Sequence, residues 1–106
     1  MGICLGAVSG LIPGIHSNTL ASVLLSLQGV LAAALGPEGL ASALFSALVT
    51  HSFLDSIPST YLGIPDPDNA LSVLPAHALC LEGLGEEAVR VAAIGSALAV
   101  VAGIPL

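Results

Sequence analysis

From Asn18 to about Leu35 the chain carries no Asp, Glu, Lys or Arg. As a helix rising ~1.5 Å per residue, that run would be roughly 27 Å long, close to the ~30 Å hydrocarbon core of a bilayer. A second apolar stretch, from about Glu38 to Asp55, is again long enough to cross with modest mismatch. Three other apolar segments flank these two: a short one from Gly2 to Ile12, one from about Asn69 to Glu82, and a last one from Glu86 to Ile104. The expected fold is all-α, a polytopic membrane protein whose helices are broken by Pro/Gly segments. Residues 1–106 are read as a single transmembrane unit, a fragment or one repeat of a larger protein, in the cell membrane and multi-pass.

Composition supports lipid as the solvent. Hydrophobic residues make up 56% of the chain and charged residues 8%, against ~25% charged in soluble domains. A chain this short cannot cover its surface with so few charges. One Lys or Arg against seven Asp and Glu gives a formal net charge of -6, which leaves no basic surface for nucleic acid. Arg90 alone also sets no orientation by the positive-inside rule. Trp is absent and aromatic residues are scarce, so packing is expected to rest on Ala, Gly and Ser, as between membrane helices. Cys4 and Cys80 lack metal or redox spacing and are read as buried small hydrophobes. The first dozen residues have no basic n-region, so no signal peptide is expected.

The breaks between apolar runs carry the functional signal. Pro13-Gly14-Ile15-His16 stops the first run, after which Ser17, Asn18 and Thr19 offer N-cap oxygens for the next helix. Gly36-Pro37-Glu38-Gly39 reads as a turn between helices. Ser56 to Asp68 holds Pro58, Pro65 and Pro67, which argues against a regular helix there. Gly83-Leu84-Gly85 closes the next piece, in which Pro75 can introduce a kink. The first and third of these breaks share a pattern: Ile12-Pro13 followed by an apolar helix starting at Asn18, and Ile64-Pro65 followed by one starting at Asn69. Paired interruptions of this kind mark the discontinuous helices of secondary transporters, and backbone groups freed there must be buried in protein or line a wet cavity.

Each polar cluster admits two readings. Pro13, Gly14, His16, Ser17, Asn18 and Thr19 place uncharged donors at a helix N-terminus, which suits a carboxylate or other anion, or else form an ordinary N-cap in an interfacial turn. Ser59, Thr60, Asp66, Asp68 and Asn69 bring oxygens suited to a hard monovalent cation, or form a solvated, proline-rich loop. His51 and Asp55 stand four residues apart on one helix face, as a coupling pair, two metal ligands, or a simple helix-end charge. Zinc would need further ligands, and His16 and His77 have no ligand-like spacing, so no metal is assigned. No nucleophile-base pattern or phosphate loop is visible, and no enzyme activity is expected.

At Gly10-Leu11-Ile12-Pro13-Gly14, at Ile57-Pro58-Ser59-Thr60 with Gly63-Ile64-Pro65, and at Glu82-Gly83-Leu84-Gly85-Glu86-Glu87-Ala88, the chain resembles the large membrane subunit of the tripartite tricarboxylate transporter family, especially its archaeal branch. The resemblance implies an ion-coupled permease, a symporter of di- or tricarboxylates using sodium or protons, with no cofactor. Its partners would be membrane lipid, a small organic anion, and the remaining half of the transporter or further copies of the chain. Family members are several times longer, so the match covers an early portion of one half. The acidic Pro65-Asp66-Pro67-Asp68 also departs from the Gly/Thr/Ser-rich bacterial version, which bears on whether the substrate is a carboxylate. The rival reading is a small, non-transporting membrane scaffold that packs with a larger partner.

Overall fold

The computed structural model describes residues 1–64 and 70–106. Among these residues the elements are all helical: α1 (Gly2–Leu11), α2 (Ser17–Ser26), α3 (Gln28–Leu54), α4 (Ser56–Leu62), α5 (Ala70–Leu81) and α6 (Gly85–Gly103). Contacts divide the chain into two units, Met1–Asp55 and Ser56–Leu106.

In the first unit, α1 is too short to span a bilayer but presents a glycine at every fourth position to α3. Gly2, Gly6, Ser9 and Gly10 are its buried residues. A methyl group at Gly2 would strike the Ser46 side chain and the Ala43 backbone. At Gly6 it would strike the Ala47 carbonyl and come within 2.8 Å of Thr50 Cβ, and at Gly10 it would lie 2.8 Å from the His51 carbonyl oxygen. Opposite this stripe, Ala47 is completely buried. Spacing of small residues at i and i+4 lets the two backbones approach closely, the packing that membrane helices use when lipid supplies no hydrophobic drive.

The helix expected from Asn18 to Leu35 is instead in two pieces. Leu27 (φ -94°, ψ 5°) separates α2 from α3, although its N–H still donates to the Val23 carbonyl at 3.2 Å and its own carbonyl accepts from Leu31 at 3.0 Å. Just before it, Ser22 Oγ donates to the Asn18 carbonyl at 2.8 Å and Ser26 Oγ to the Val23 carbonyl at 2.7 Å, though the like bonds of Thr50 and Ser52 leave α3 unbroken. The break expected at Gly36-Pro37 is present, compressed into one residue. Gly36 takes φ 74° and ψ 165° inside α3, and Pro37 begins the next helical run, where its missing N–H costs nothing.

The run Gln28–Leu62 has 35 residues with a mean hydropathy of 1.4, and is the one stretch among the described residues long and apolar enough to cross a membrane. Only 6% of its most apolar window is buried. The two stretches expected to cross, Asn18 to about Leu35 and Glu38 to Asp55, are thus replaced among the described residues by this one run, which overlaps both. Gly2–Leu11 and Ala70–Leu81 are apolar but shorter, and α6, with 19 residues, carries Glu86, Glu87 and Arg90 in its first two turns. Large apolar side chains face outward throughout, with Leu71 95% and Phe45 72% exposed.

In the second unit, Ser56–Leu62 is helical despite Pro58, which corrects the expectation of an irregular segment there. Pro58 is the third residue of α4, and the first N–H groups of a helix have no intrahelical acceptor, so a proline there removes no hydrogen bond. α5 accommodates Pro75 and ends in a Schellman turn: Leu84 N–H donates to the Leu79 carbonyl at 2.9 Å and Gly83 N–H to that of Cys80 at 3.0 Å. Val73 and Ala88 form the apolar centre of this unit, beside buried Ser59 and Thr60. Cys80 is half-buried but Cys4 is exposed, on the face of α1 opposite its glycines, so Cys4 is not the buried hydrophobe expected.

Candidate functional site

The candidate residues gather at two of the breaks, the first at Pro13-Gly14-Ile15-His16 and a second that begins at Ser56, and at one buried contact between His51 and Ser9. At the first break, Ile15 N–H donates to the Ile12 carbonyl at 3.4 Å, closing a turn with Pro13 second and Gly14 third. Gly14 has φ 91°, a conformation that L side chains resist and that this turn type requires. The N-cap of α2 is His16 (φ -86°, ψ 155°), and no side chain caps the helix. The His16 carbonyl accepts from Thr19 N–H at 3.0 Å and Leu20 N–H at 3.1 Å. Ser17, Asn18 and Thr19 thus lie inside the first turn and do not serve as caps, a correction with a simple cause: the extended backbone falls one residue earlier than the side-chain chemistry suggests. Pro13, Gly14, His16, Asn18 and Thr19 are exposed and Ser17 is half-buried. The break is therefore an accessible helix N-terminus without a formal charge of its own.

His51 lies within the α1–α3 contact. It is 2% exposed, beneath α1, and its Nδ1 lies 3.0 Å from Ser9 Oγ. Ser9 Oγ also donates to the Gly6 carbonyl at 3.2 Å. A hydroxyl has one proton, so with that proton on Gly6 the serine accepts from the His51 Nδ1–H. This pair is a polar bond across the glycine-lined α1–α3 contact, the kind of interhelical link that holds membrane helices in register. Asp55 caps α3 in αR geometry, its N–H donating to the His51 carbonyl at 2.9 Å. It directly precedes α4, whose N-terminal end favours a carboxylate.

At the second break, Ser59 and Thr60 are buried, at 6% and 3% exposure, rather than solvated in a loop. Asp66, Asp68 and Asn69 lie outside the described residues. A cavity of about 260 Å³ is walled by α4, α5 and α6, with Ser56, Thr60 and Ser72 as its hydroxyl-bearing residues and Val73, Leu79 and Val91 among its apolar ones. His77, which spacing alone gave no reason to single out, links α5 to the end of α4. Its Nδ1 lies 2.9 Å from the Thr60 carbonyl, and its ring covers Gly63, where a Cβ would sit 2.7 Å from Nε2. Gly63 has φ 66°, so the ring and the backbone both exclude a side chain. A histidine in an apolar helix just past a proline was the available signal, but its partner belongs to another helix. No group of three metal-ligating side chains occurs among the described residues.

All-helical among the described residues, with outward-facing apolar surface, a glycine-packed helix pair and polar Pro/Gly breaks, the chain has the features of membrane-embedded proteins with interrupted helices. Residues 1–106 match the tripartite tricarboxylate transporter TctA family, and the chain belongs to that family. It is similar to an uncharacterized protein, MJ1079, of Methanocaldococcus jannaschii, with 40% identity over 101 residues, covering 95% of this chain and 24% of that relative's length. No solved structure matches.

Proposed function

We propose that this chain is the membrane-embedded part of an ion-coupled secondary transporter for small organic anions of the di- or tricarboxylate type. The observation that carries the reading is membership of a tricarboxylate transporter family across all 106 residues. Because the chain spans 24% of the length of its archaeal relative, the activity belongs to the full-length protein, which crosses the membrane several times. The accessible N-terminus of α2 attracts the carboxylate by its dipole, with Ser17, Asn18 and Thr19 as candidate contacts. Pro13 and Gly14 aim that terminus. Ser59 and Thr60, together with Asp66, Asp68 and Asn69, serve the coupling ion, sodium or a proton. Asp55 is the candidate for coupling, and His51 supports it from within the α1–α3 contact.

The net charge of -6 makes a coupling cation chemically useful, since an organic anion entering an acidic protein needs its charge offset. The test is uptake of radiolabelled citrate and succinate by cells expressing the full-length protein, with and without sodium. Saturable uptake above that of vector-only cells is expected. Its absence for every organic anion tried, with the protein present in the membrane, would overturn the reading.

A further inference from the structure

His77 lies outside both polar clusters, and its geometry is specific. A carbonyl oxygen can only accept, so the 2.9 Å contact between His77 Nδ1 and the Thr60 carbonyl places the ring proton on Nδ1 and leaves Nε2 as an acceptor in the neutral ring. The Thr60 carbonyl is among the last four of α4, which have no intrahelical partner. Gly63 N–H takes the Ser59 carbonyl at 2.9 Å, and His77 from α5 takes the next one. The imidazole therefore finishes the C-terminal end of α4 and ties that end to α5, with the ring seated on Gly63, where any side chain would collide. Thr60, the residue it holds, also lines the cavity between α4, α5 and α6.

We propose that His77 is a positioning residue of the second break. By donating from Nδ1 to the Thr60 carbonyl it fixes the end of α4, and through Thr60 it sets the affinity for the coupling ion without touching it. The inference rests on the transporter reading and deepens it. The two side-chain amides separate the ring's nitrogens. Asn places its amide nitrogen where Nδ1 is, and Gln places it where Nε2 is.

The experiment compares wild type, His77→Asn, His77→Gln and His77→Leu in the full-length protein, reconstituted in liposomes with radiolabelled citrate as the probe. His77→Leu and His77→Gln are expected to raise the KM for the coupling ion, read from citrate uptake against sodium concentration and pH, about tenfold, the scale of one lost buried hydrogen-bond partner, while the maximal rate changes little. His77→Asn should stay near wild type, and Gly63→Ala should behave like His77→Leu because the added methyl displaces the ring. Retention of KM by Gln with loss in Asn would overturn the proposal, by making Nε2 the working nitrogen. Equal loss in all three variants would overturn it as well.

A readout independent of transport is the ¹⁵N spectrum of the His77 ring in bilayers. It should show protonated Nδ1, and the Gly63 amide should exchange faster in His77→Leu than in His77→Asn. If the wild type carries no organic anion but the tautomer and exchange pattern hold, the transporter reading fails and the positioning role stands. A ring protonated at Nε2 alone refutes the role directly.

Discussion

The same substitution, glycine to alanine, should have opposite signs at two positions of this chain. In an open helix the change stabilises by about 0.5–1 kcal/mol, because alanine loses less backbone entropy. Gly95, within α6, has no atom within 4 Å of where a Cβ would stand, so Gly95→Ala should realise that gain in full. At Gly6 the methyl would meet the Ala47 carbonyl and lie 2.8 Å from Thr50 Cβ. The obstacle is largely backbone and cannot rotate away. Overpacking of this kind costs about 1–3 kcal/mol, which outweighs or cancels the propensity gain. The two variants should therefore differ by about 1–3 kcal/mol, roughly 5- to 150-fold in the folding equilibrium. Unfolding of the full chain in mixed micelles, titrated with SDS and followed by circular dichroism, measures the difference. If Gly6→Ala is as stable as Gly95→Ala, α1 does not pack against α3 through its glycines and the account of the first unit fails.

Other consequences are more local. Ser9→Ala should cost about 1–2 kcal/mol, because it leaves the buried His51 without its hydroxyl partner; Ser46→Ala, whose hydroxyl bonds only the Ala43 carbonyl of its own helix, should cost under about 0.5 kcal/mol in the same titration. Asn18→Ala should leave stability almost unchanged, since His16 and not Asn18 is the N-cap, while weakening citrate binding by the full-length protein; a loss near the ~1 kcal/mol of a true cap would restore Asn18 as one. Asp55→Asn keeps the shape and removes the charge, so citrate should still bind while uptake loses its dependence on sodium or pH. Uptake curves superimposable on wild type would exclude Asp55 from coupling.

What could be read from the residues alone follows from how local each cause is. Pro13-Gly14, Gly36-Pro37 and Gly83 punctuate the chain through their own backbone preferences, and each break lies where those residues stand. α4 was hidden because Pro58 is disruptive only in a helix interior, and the register that puts it in the first turn depends on where the helix begins. No proline and no charged residue stands at or beside Leu27, so nothing in the residues announced the division there. The site was legible as a set of breaks but not as a set of bonds. His51 meets Ser9 across 42 positions and His77 meets Thr60 across 17, and neither pairing leaves a periodic trace. The burial of Ser59 and Thr60, likewise, depends on helices that approach from later in the chain.

The claim on which the rest depends is that the full-length protein moves organic anions across a membrane at the expense of an ion gradient. Purified protein in liposomes, loaded with unlabelled citrate and placed in radiolabelled citrate, should show transient counterflow. An imposed inward sodium or proton gradient should then raise the internal label above the external concentration. Accumulation that collapses when the gradient is dissipated is the predicted result. Liposomes that contain folded protein yet show neither counterflow nor gradient-driven accumulation of citrate, succinate or other small organic anions would contradict it.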